Sequence, residues 1–477
     1  MQPHAPADGG QSGIAISSLA QFSAAVPQAM ALRPSPCGYR PHDRVTASDR
    51  ELSPPCPYSV WAFIAGSGMA TTAAFQAPHA IACPSCATVQ RISLITQGKL
   101  ECRACRTPLE RATGRSLDAA LACALGTFIL LIPANLLLML KVSKAGITAE
   151  SYLSSGVTVM WHHGWVLTAA AVLLQAVLLP FLRFGLLSAV LLAIRFKRVG
   201  RWTGPAFRWA SHLDLWAMPD VFLIGFLIGY SRLAPFVPVT IEPGGWCLFG
   251  AALLSMLTRA THDKRRTWRD IRSSLAPAGC EETVGCAVCG CIVEAAKEGR
   301  RCPRCGARVW RRRPHSLSCA LALVIAGFAL YPIANFYPLS IITLAGQQTG
   351  HTLFSSVERL VEANLWPLAL VIFTTSIGIP FLKLVGMCWL FLSVRRRSTR
   401  HLVAKTRTFL LIDELGRWSN ADIFTLVVYM PLVQLRQVAH VDLGNGTPAL
   451  QMLVVLTMFA SVVFDPRLVW DSRKTSR

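Results

Sequence analysis

The sequence predicts an all-α polytopic membrane protein built by tandem duplication. Each copy is a cytoplasmic four-cysteine zinc ribbon followed by four transmembrane helices, giving eight helices in total. Three observations carry this reading. Of the 477 residues, 53% are hydrophobic and only 15% charged, against roughly 25% charged in soluble domains. Motifs recur in register: Ser116-Leu117 as Ser316-Leu317, Ala134-Asn135 as Ala334-Asn335 and Pro180-Phe181-Leu182-Arg183 as Pro380-Phe381-Leu382-Lys383, each 200 residues further on. Trp216, Asp220 and Phe222 match Trp418, Asp422 and Phe424 at an offset of 202. Finally, eight of the 16 cysteines form four Cys-x-x-Cys pairs, two ahead of each apolar region. This mix excludes a disordered chain and disfavours a plain soluble enzyme.

Residues 1–80 are rich in Ala, Pro, Ser, Gly and Gln, without a sustained apolar period, and read as a disordered extension. Met69 offers an alternative start, and Cys37 and Cys56 have no neighbouring partner. The first head, 81–113, carries Cys83-Pro-Ser-Cys86 and Cys102-Arg-Ala-Cys105; the second, 280–313, carries Cys286-Ala-Val-Cys289 and Cys302-Pro-Arg-Cys305. Two residues between thiolates let one tight turn present both sulfurs to one ion, and two such knuckles close a tetrahedral four-thiolate site. A cytoplasmic location disfavours disulfides. Zinc is the expected metal at both sites, with rubredoxin-like iron the minor alternative, and Cys280 and Cys291 are candidate spare ligands. Gly290 and Gly306 follow the second cysteine of their knuckles, where a left-handed residue eases the turn; the first head has Ala87 and Arg106 there.

The first transmembrane module, 114–262, has apolar spans at about 117–140, 163–194, 213–232 and 246–260. The second, 314–470, has them at about 317–344, 364–394, 418–435 and 448–464. A basic linker at 263–279 joins the halves and 471–477 is a cytoplasmic tail. Arg and Lys crowd the connections between spans two and three and the segment after span four, whereas the 233–245 and 345–357 loops have none. By the positive-inside rule, both termini and both heads face the cytoplasm. Topology therefore accounts for the net charge of +22, and no direct nucleic-acid partner is expected. Phosphate loops, metalloprotease helices and nucleophile elbows do not occur, so the protein is not read as an enzyme.

Several polar residues sit in or beside the spans. Asn135 and Asn335 follow Pro133 and Pro332; they either satisfy backbone groups freed by proline or line a substrate path. Asp220 and Asp422 open the third spans and read as N-terminal caps, with Ser419 and Asp422 matching a capping box. Spans two are roughly 30 residues, about 45 Å if helical, so Pro180 and Pro380 should break them or the helices must tilt. Arg183 and Lys383 follow three residues later. They either snorkel to the headgroups or line a cavity holding an anionic lipid headgroup. His162 and His163, between Trp161 and Trp165, read as interfacial.

Together, the Cys-x-x-Cys heads, a first span ending Pro133-Ala134-Asn135, third spans opening Trp-x-x-x-Asp-Val/Ile-Phe, and the tail Phe464-Asp465-Pro466-Arg467 with Trp470 resemble the paraquat-inducible protein A family. The resemblance covers roughly 80–470 and is to its two-module members; the first copy lacks the tail motif. It implies a non-enzymatic bacterial inner-membrane component of intermembrane lipid transport. Such a protein would exchange phospholipid with a periplasmic MCE-domain partner and contribute to envelope integrity. From the residues alone, an ion-coupled small-solute transporter and a membrane-anchored regulator whose ribbons bind a cytoplasmic partner remain open alternatives.

Overall fold

The computed structural model describes residues 79–92, 99–111, 116–144, 147–234, 237–272, 283–344, 347–362, 364, 366–433 and 439–473. The extension before residue 79, with Cys37, Cys56 and Met69, and the end of the linker with Cys280 lie outside them. The first head is two antiparallel hairpins, β1 (His79–Ala82) with β2 (Val89–Ile92) and β3 (Lys99–Glu101) with β4 (Pro108–Arg111). Ser116 then starts α1 (Leu117–Leu136), its hydroxyl accepting from the Ala119 N–H at 3.3 Å, with Asp118 in the first turn.

The chain leaves α1 at an extended Leu137 and enters β5 (Leu140–Lys144) and β6 (Ile147–Ser151). The all-α expectation is corrected here, and the predicted ends at 140 and 344 overran the helices. β-Branched and apolar strand residues such as Ser340-Ile-Ile-Thr-Leu344 prolong an apolar run without prolonging the helix, which hydropathy alone cannot separate.

After α2 (Ser155–His162), the second span runs unbroken from Val166 to Arg195. It comprises α3 (Val166–Val172), a π-helical turn at Leu173–Leu178 and α4 (Leu179–Arg195). The break expected at Pro180 is therefore absent. The wider π turn, in which the Leu179 N–H reaches the Leu174 carbonyl, carries the helix past the proline ring.

Next come the amphipathic α5 (Thr203–Leu213), α6 (Pro219–Leu233), β7 (Val239–Ile241), α7 (Pro243–Thr261) and α8 (Lys264–Ile271). The third span, expected at 213–232, is split: residue 213 ends α5, and Pro219, which fixes φ without needing an N–H, opens a 15-residue α6. Strand β7 pairs with β5, closing a three-stranded sheet ordered β6-β5-β7.

The second half repeats this plan. Its head contains β8 (Thr283–Gly285) and β9 (Ile292–Glu294), followed by α9 (Ser316–Phe336), β10 (Ser340–Leu344), β11 (Gln347–His351) and α10 (Leu353–Glu362). The span Trp366–Arg395 contains α11 (Trp366–Ile372), a π turn at Phe373–Gly378 and α12 (Ile379–Arg395). Then come α13 (Leu402–Leu415), a 3-10 turn at Gly416–Asn420, α14 (Ala421–Val433), β12 (Ala439–Leu443) and α15 (Gly446–Val463). Its sheet is ordered β11-β10-β12. Among the described residues, five helices are long and apolar enough to cross a membrane: α1, the 166–195 span, α9, the 366–395 span and α15.

The two halves meet through their third helices. Phe222 and Phe424 are tilted against each other with centroids 5.1 Å apart, and Ser151 Oγ donates to the Val428 carbonyl at 3.3 Å. At Gly225 the backbones approach so closely that a Cβ would lie 2.7 Å from Phe424 Cβ and 2.9 Å from the Ala421 carbonyl oxygen. Gly225→Leu should therefore destabilise the paired modules by about 1–3 kcal/mol through overpacking. A lowered unfolding midpoint of the detergent-solubilised protein would register it; an unchanged midpoint would mean the interface is slack.

Candidate functional site

Each head brings four thiols to one point. In the first, Cys83 Sγ lies 3.6 Å from Cys105 Sγ and Cys86 Sγ 3.6 Å from Cys102 Sγ. In the second, Cys286 pairs with Cys305 and Cys289 with Cys302, also at 3.6 Å. All four sulfurs of each head lie within 4.8 Å of one another and all eight cysteines are buried. A disulfide needs about 2.05 Å, so these are free thiols. Tetrahedral Zn–S bonds of about 2.3 Å place sulfurs roughly 3.8 Å apart, so the donor set fits a closed tetra-thiolate site. A metal bound there would tie the two knuckles of each head together.

The knuckles turn as expected, through N–H bonds from Ala87, Arg106, Gly290 and Gly306 to the carbonyl of the cysteine four residues earlier, at 2.9–3.0 Å. All four residues have positive φ, 57–69°. Ala87 and Arg106 thus accept the left-handed strain that glycine avoids in the second head. Cys291 is buried beside the second centre, but its Sγ faces the Ile292 carbonyl and the four-sulfur cluster is complete without it.

The heads are crossed relative to the helices. The second head packs on the first module: a Cβ at Gly204 would strike the Arg304 carbonyl, and Arg272 Nη1 donates to the Pro303 carbonyl at 3.4 Å. The first head reaches the second module, where Ala104 shares a cleft with Leu402, Val403 and Trp470. Arg467 locks the crossing. Its buried guanidinium donates from Nε to the Pro84 carbonyl at 3.1 Å and from Nη1 to the Gly285 carbonyl at 3.0 Å, one in each head.

The remaining polar residues are distributed as follows. Asn135 and Asn335 donate from Nδ2 to the carbonyls of Leu131 and Tyr331 at 2.7 Å. Those are not the carbonyls that Pro133 and Pro332 free, which belong to the residues four before each proline. Asp220 lies in the first turn of α6, where its Oδ2 accepts from Arg259 Nη1 at 3.0 Å. Asp422 accepts from Ser376 Oγ on the neighbouring span, while Ser419 is buried in the preceding 3-10 turn. Both carboxylates are thus partnered across helices. Arg183 and Lys383 are almost wholly buried, at 3% and 2% exposure. Arg183 Nη2 pairs with Asp214 Oδ1 at 2.5 Å, and Lys383 packs against Gly416. His162 is exposed, and His163 Nδ1 lies 3.3 Å from Asp442 Oδ1.

Sequence reasoning missed a polar seam between the modules. Asn420 Nδ2 donates to Gln175 Oε1 at 2.7 Å, and Gln451 Nε2 lies 3.5 Å from the same oxygen. All three are buried, and Asn420 Oδ1 and Gln451 Oε1 have no hydrogen-bond partner. Gln175 and Ser376 sit in the two π turns. The available signal was the presence of lone amides within apolar spans. The repeat concealed it, because Thr375 stands where Gln175 does.

Fold and centres together define a duplicated membrane protein with paired tetra-thiolate heads. The chain belongs to the Paraquat-inducible protein A family, which it matches over residues 117–272 and 317–474. It is 28% identical over 408 residues to Intermembrane transport protein PqiA of Escherichia coli K12, covering 83% of this chain and 96% of that protein. Lipophilic envelope-spanning tunnel protein A of the same strain is 25% identical over 397 residues, 82% and 91% of the two chains. A probable intermembrane transport protein of Haemophilus influenzae is 25% identical over 407 residues, 84% and 97% of the two chains. No solved structure matches.

Removing one thiol should separate the two centres. Cys286→Ser should leave one metal ion per chain where two are expected in the unaltered protein, read by elemental analysis. It should also loosen the first module, lowering its protection from hydrogen exchange around Phe207 and Trp268, which share a core with the second head. A pH dependence is expected from His262, which stands edge-on to Phe207 with centroids 5.6 Å apart, while its Nε2 lies 3.0 Å from Thr267 Oγ1. Burial, with help from nearby Lys264, lowers its pKa from the ordinary 6.5 to about 4. The unfolded chain therefore takes up a proton that the folded one refuses. This stability is complete above about pH 6.5 and is lost progressively towards pH 4, by at most roughly 3 kcal/mol. Unfolding midpoints measured across that window should fall, and His262→Gln should flatten the slope.

Proposed function

We propose that this chain is the bacterial inner-membrane component of an intermembrane lipid-transport system. It exchanges phospholipid with a periplasmic MCE-domain protein and so supports envelope integrity. In this reading eight helices lie in the membrane, with both termini and both zinc-loaded heads in the cytoplasm. The observation that carries it is the correspondence of both modules with proteins named for intermembrane transport or as a lipophilic envelope-spanning tunnel, over more than nine-tenths of each relative's length.

The polar seam supports the reading physically. Amides and a carboxylate buried among apolar spans are costly in hydrocarbon and mark pathways, and π turns concentrate at functional sites. Gln175, Asn420 and Gln451 are proposed to admit a polar headgroup between the modules, with Arg183, Lys383, Asn135 and Asn335 along the route. The heads do no chemistry; they hold the inner ends of the helices in register. Energy for directed movement would come from a partner or a gradient.

The test is transfer of a fluorescent phospholipid from proteoliposomes containing this chain to acceptors bearing the MCE-domain protein. Replacing Gln175 and Asn420 together by Leu removes the central hydrogen-bonded pair and leaves the Gln451 amide without its partner, at a cost of about 1–3 kcal/mol in stability. The double variant should retain two metals per chain and transfer lipid at least roughly tenfold more slowly. Normal transfer would remove the seam from the path. Solute-dependent ion flux without lipid exchange would replace the proposal with an ion-coupled transporter.

A further inference from the structure

Between the first head, α4, α5, the end of α7 and the Glu414–Arg417 segment of the second half lies a cavity of about 400 Å³. Arg183, Arg259, Lys264, Arg265 and Arg417 line it, with Asp214, Asp263 and Glu414 as the acidic groups and His262 beside them. Three of the cations converge on one carboxylate: Arg183 Nη2 at 2.5 Å and Arg259 Nε at 3.4 Å from Asp214 Oδ1, and Lys264 Nζ at 2.7 Å from Oδ2. Arg259 also engages Asp220, and Arg417 pairs with Glu414. Counted with Asp220, the group is still net positive.

Arg183 is 3% exposed, yet its Nη1 has no hydrogen-bond partner, and neither has the buried hydroxyl of Ser211 on the same wall. A buried guanidinium N–H left unmade costs a large part of its desolvation. Arg259 Nε and Arg417 Nε in the same lining are also without a hydrogen-bond partner, against one such acceptor, Asp214 Oδ1. Four open donor groups in a wall with surplus positive charge point to a missing anion. The volume lies within the small-molecule range, with room for a tetrahedral oxyanion and a small organic substituent. Arginine fork geometry favours phosphate in such a place.

The duplicated copy has lost the arrangement. At the position of Asp214 it has Gly416, where a Cβ would collide with Lys383 Nζ, and the space around Lys383 is an apolar-walled pocket of about 100 Å³. A feature needed merely to fold the module would be expected in both halves.

We propose that this cavity binds the phosphate of a phosphate ester, through Arg183, Lys264 and the Ser211 hydroxyl. The inference deepens the transport reading by giving Arg183 a ligand, and rests on it only for the lipid source of that ligand. A free phosphomonoester and a phospholipid headgroup offer the same chemistry.

The experiment uses the full chain, delipidated in dodecyl maltoside, which carries no phosphate. One arm titrates glycerol phosphate by calorimetry; the other adds phosphatidylglycerol to the micelles and reads retained lipid by native mass spectrometry. Lys264→Gln alters a side chain that is 52% exposed and so keeps the fold. Arg183→Gln combined with Asp214→Asn removes both members of the buried pair. Saturable binding weakened about tenfold by Lys264→Gln and abolished by the double variant is expected. Binding of glycerol phosphate identifies a soluble ligand, and retention of phosphatidylglycerol alone a lipid headgroup. Failure of both probes to bind, or equal binding by the unaltered chain and both variants, overturns the site. Because transfer is not measured, a failed transport assay would leave this result standing.

Discussion

The buried guanidinium of Arg467 is the contact on which the joining of the two heads depends. A cation taken out of water is costly unless its donors find acceptors, and here the acceptors are carbonyls in two separate heads. Each carbonyl is held by a knuckle or strand that the tetra-thiolate centre would fix, so closure of each head presents half of a binding site for one side chain. The Asp465 carboxylate holds the Arg467 N–H at 3.1 Å, as Asp263 holds the Arg265 N–H at 2.9 Å in the first copy. The Arg467 side chain reaches both heads.

The contacts of the two heads make the duplication structurally asymmetric. Each head touches both halves: the second packs on Gly204 of the first module and its Arg313 also donates to the Val462 carbonyl at 2.8 Å. The helical portion diverges in the same spirit. The first copy keeps a cluster of cations around Asp214, while the second keeps an amide and carboxylate group around Asn420 and Asp422. Where α6 meets α14, close packing at Gly225 brings these unlike halves together, and Gln175 of one copy meets Asn420 of the other across the seam.

Proline and π turns illustrate how local rules yield to helix packing. Pro180 and Pro380 ought to interrupt their spans, yet each follows a π turn that lets the helix continue. The same turns direct Gln175 and Ser376 towards the seam. Outside the helices, short sheets on β5 and β10 join the loop between spans one and two to the loop between spans three and four. This stitches the ends of each module together.

By itself the sequence determined the repeat, the two four-cysteine centres, the helical character of most spans and the family resemblance. These are local or periodic properties: a knuckle needs two thiols three residues apart, and a span needs a run of apolar residues. It misjudged the strands at 140–144 and 340–344, because an apolar run does not reveal where helix gives way to sheet. It put Asp220 and Asp422 at the starts of their helices but could not supply their bonded partners, Arg259 and Ser376, which lie 39 and 46 residues away. Only tertiary structure decided the crossing of the heads, the burial of Arg183 and Arg467 and the meeting of Gln175 with Asn420. Each joins residues from different helices or different halves, and no spacing along the chain encodes which apolar faces pack together.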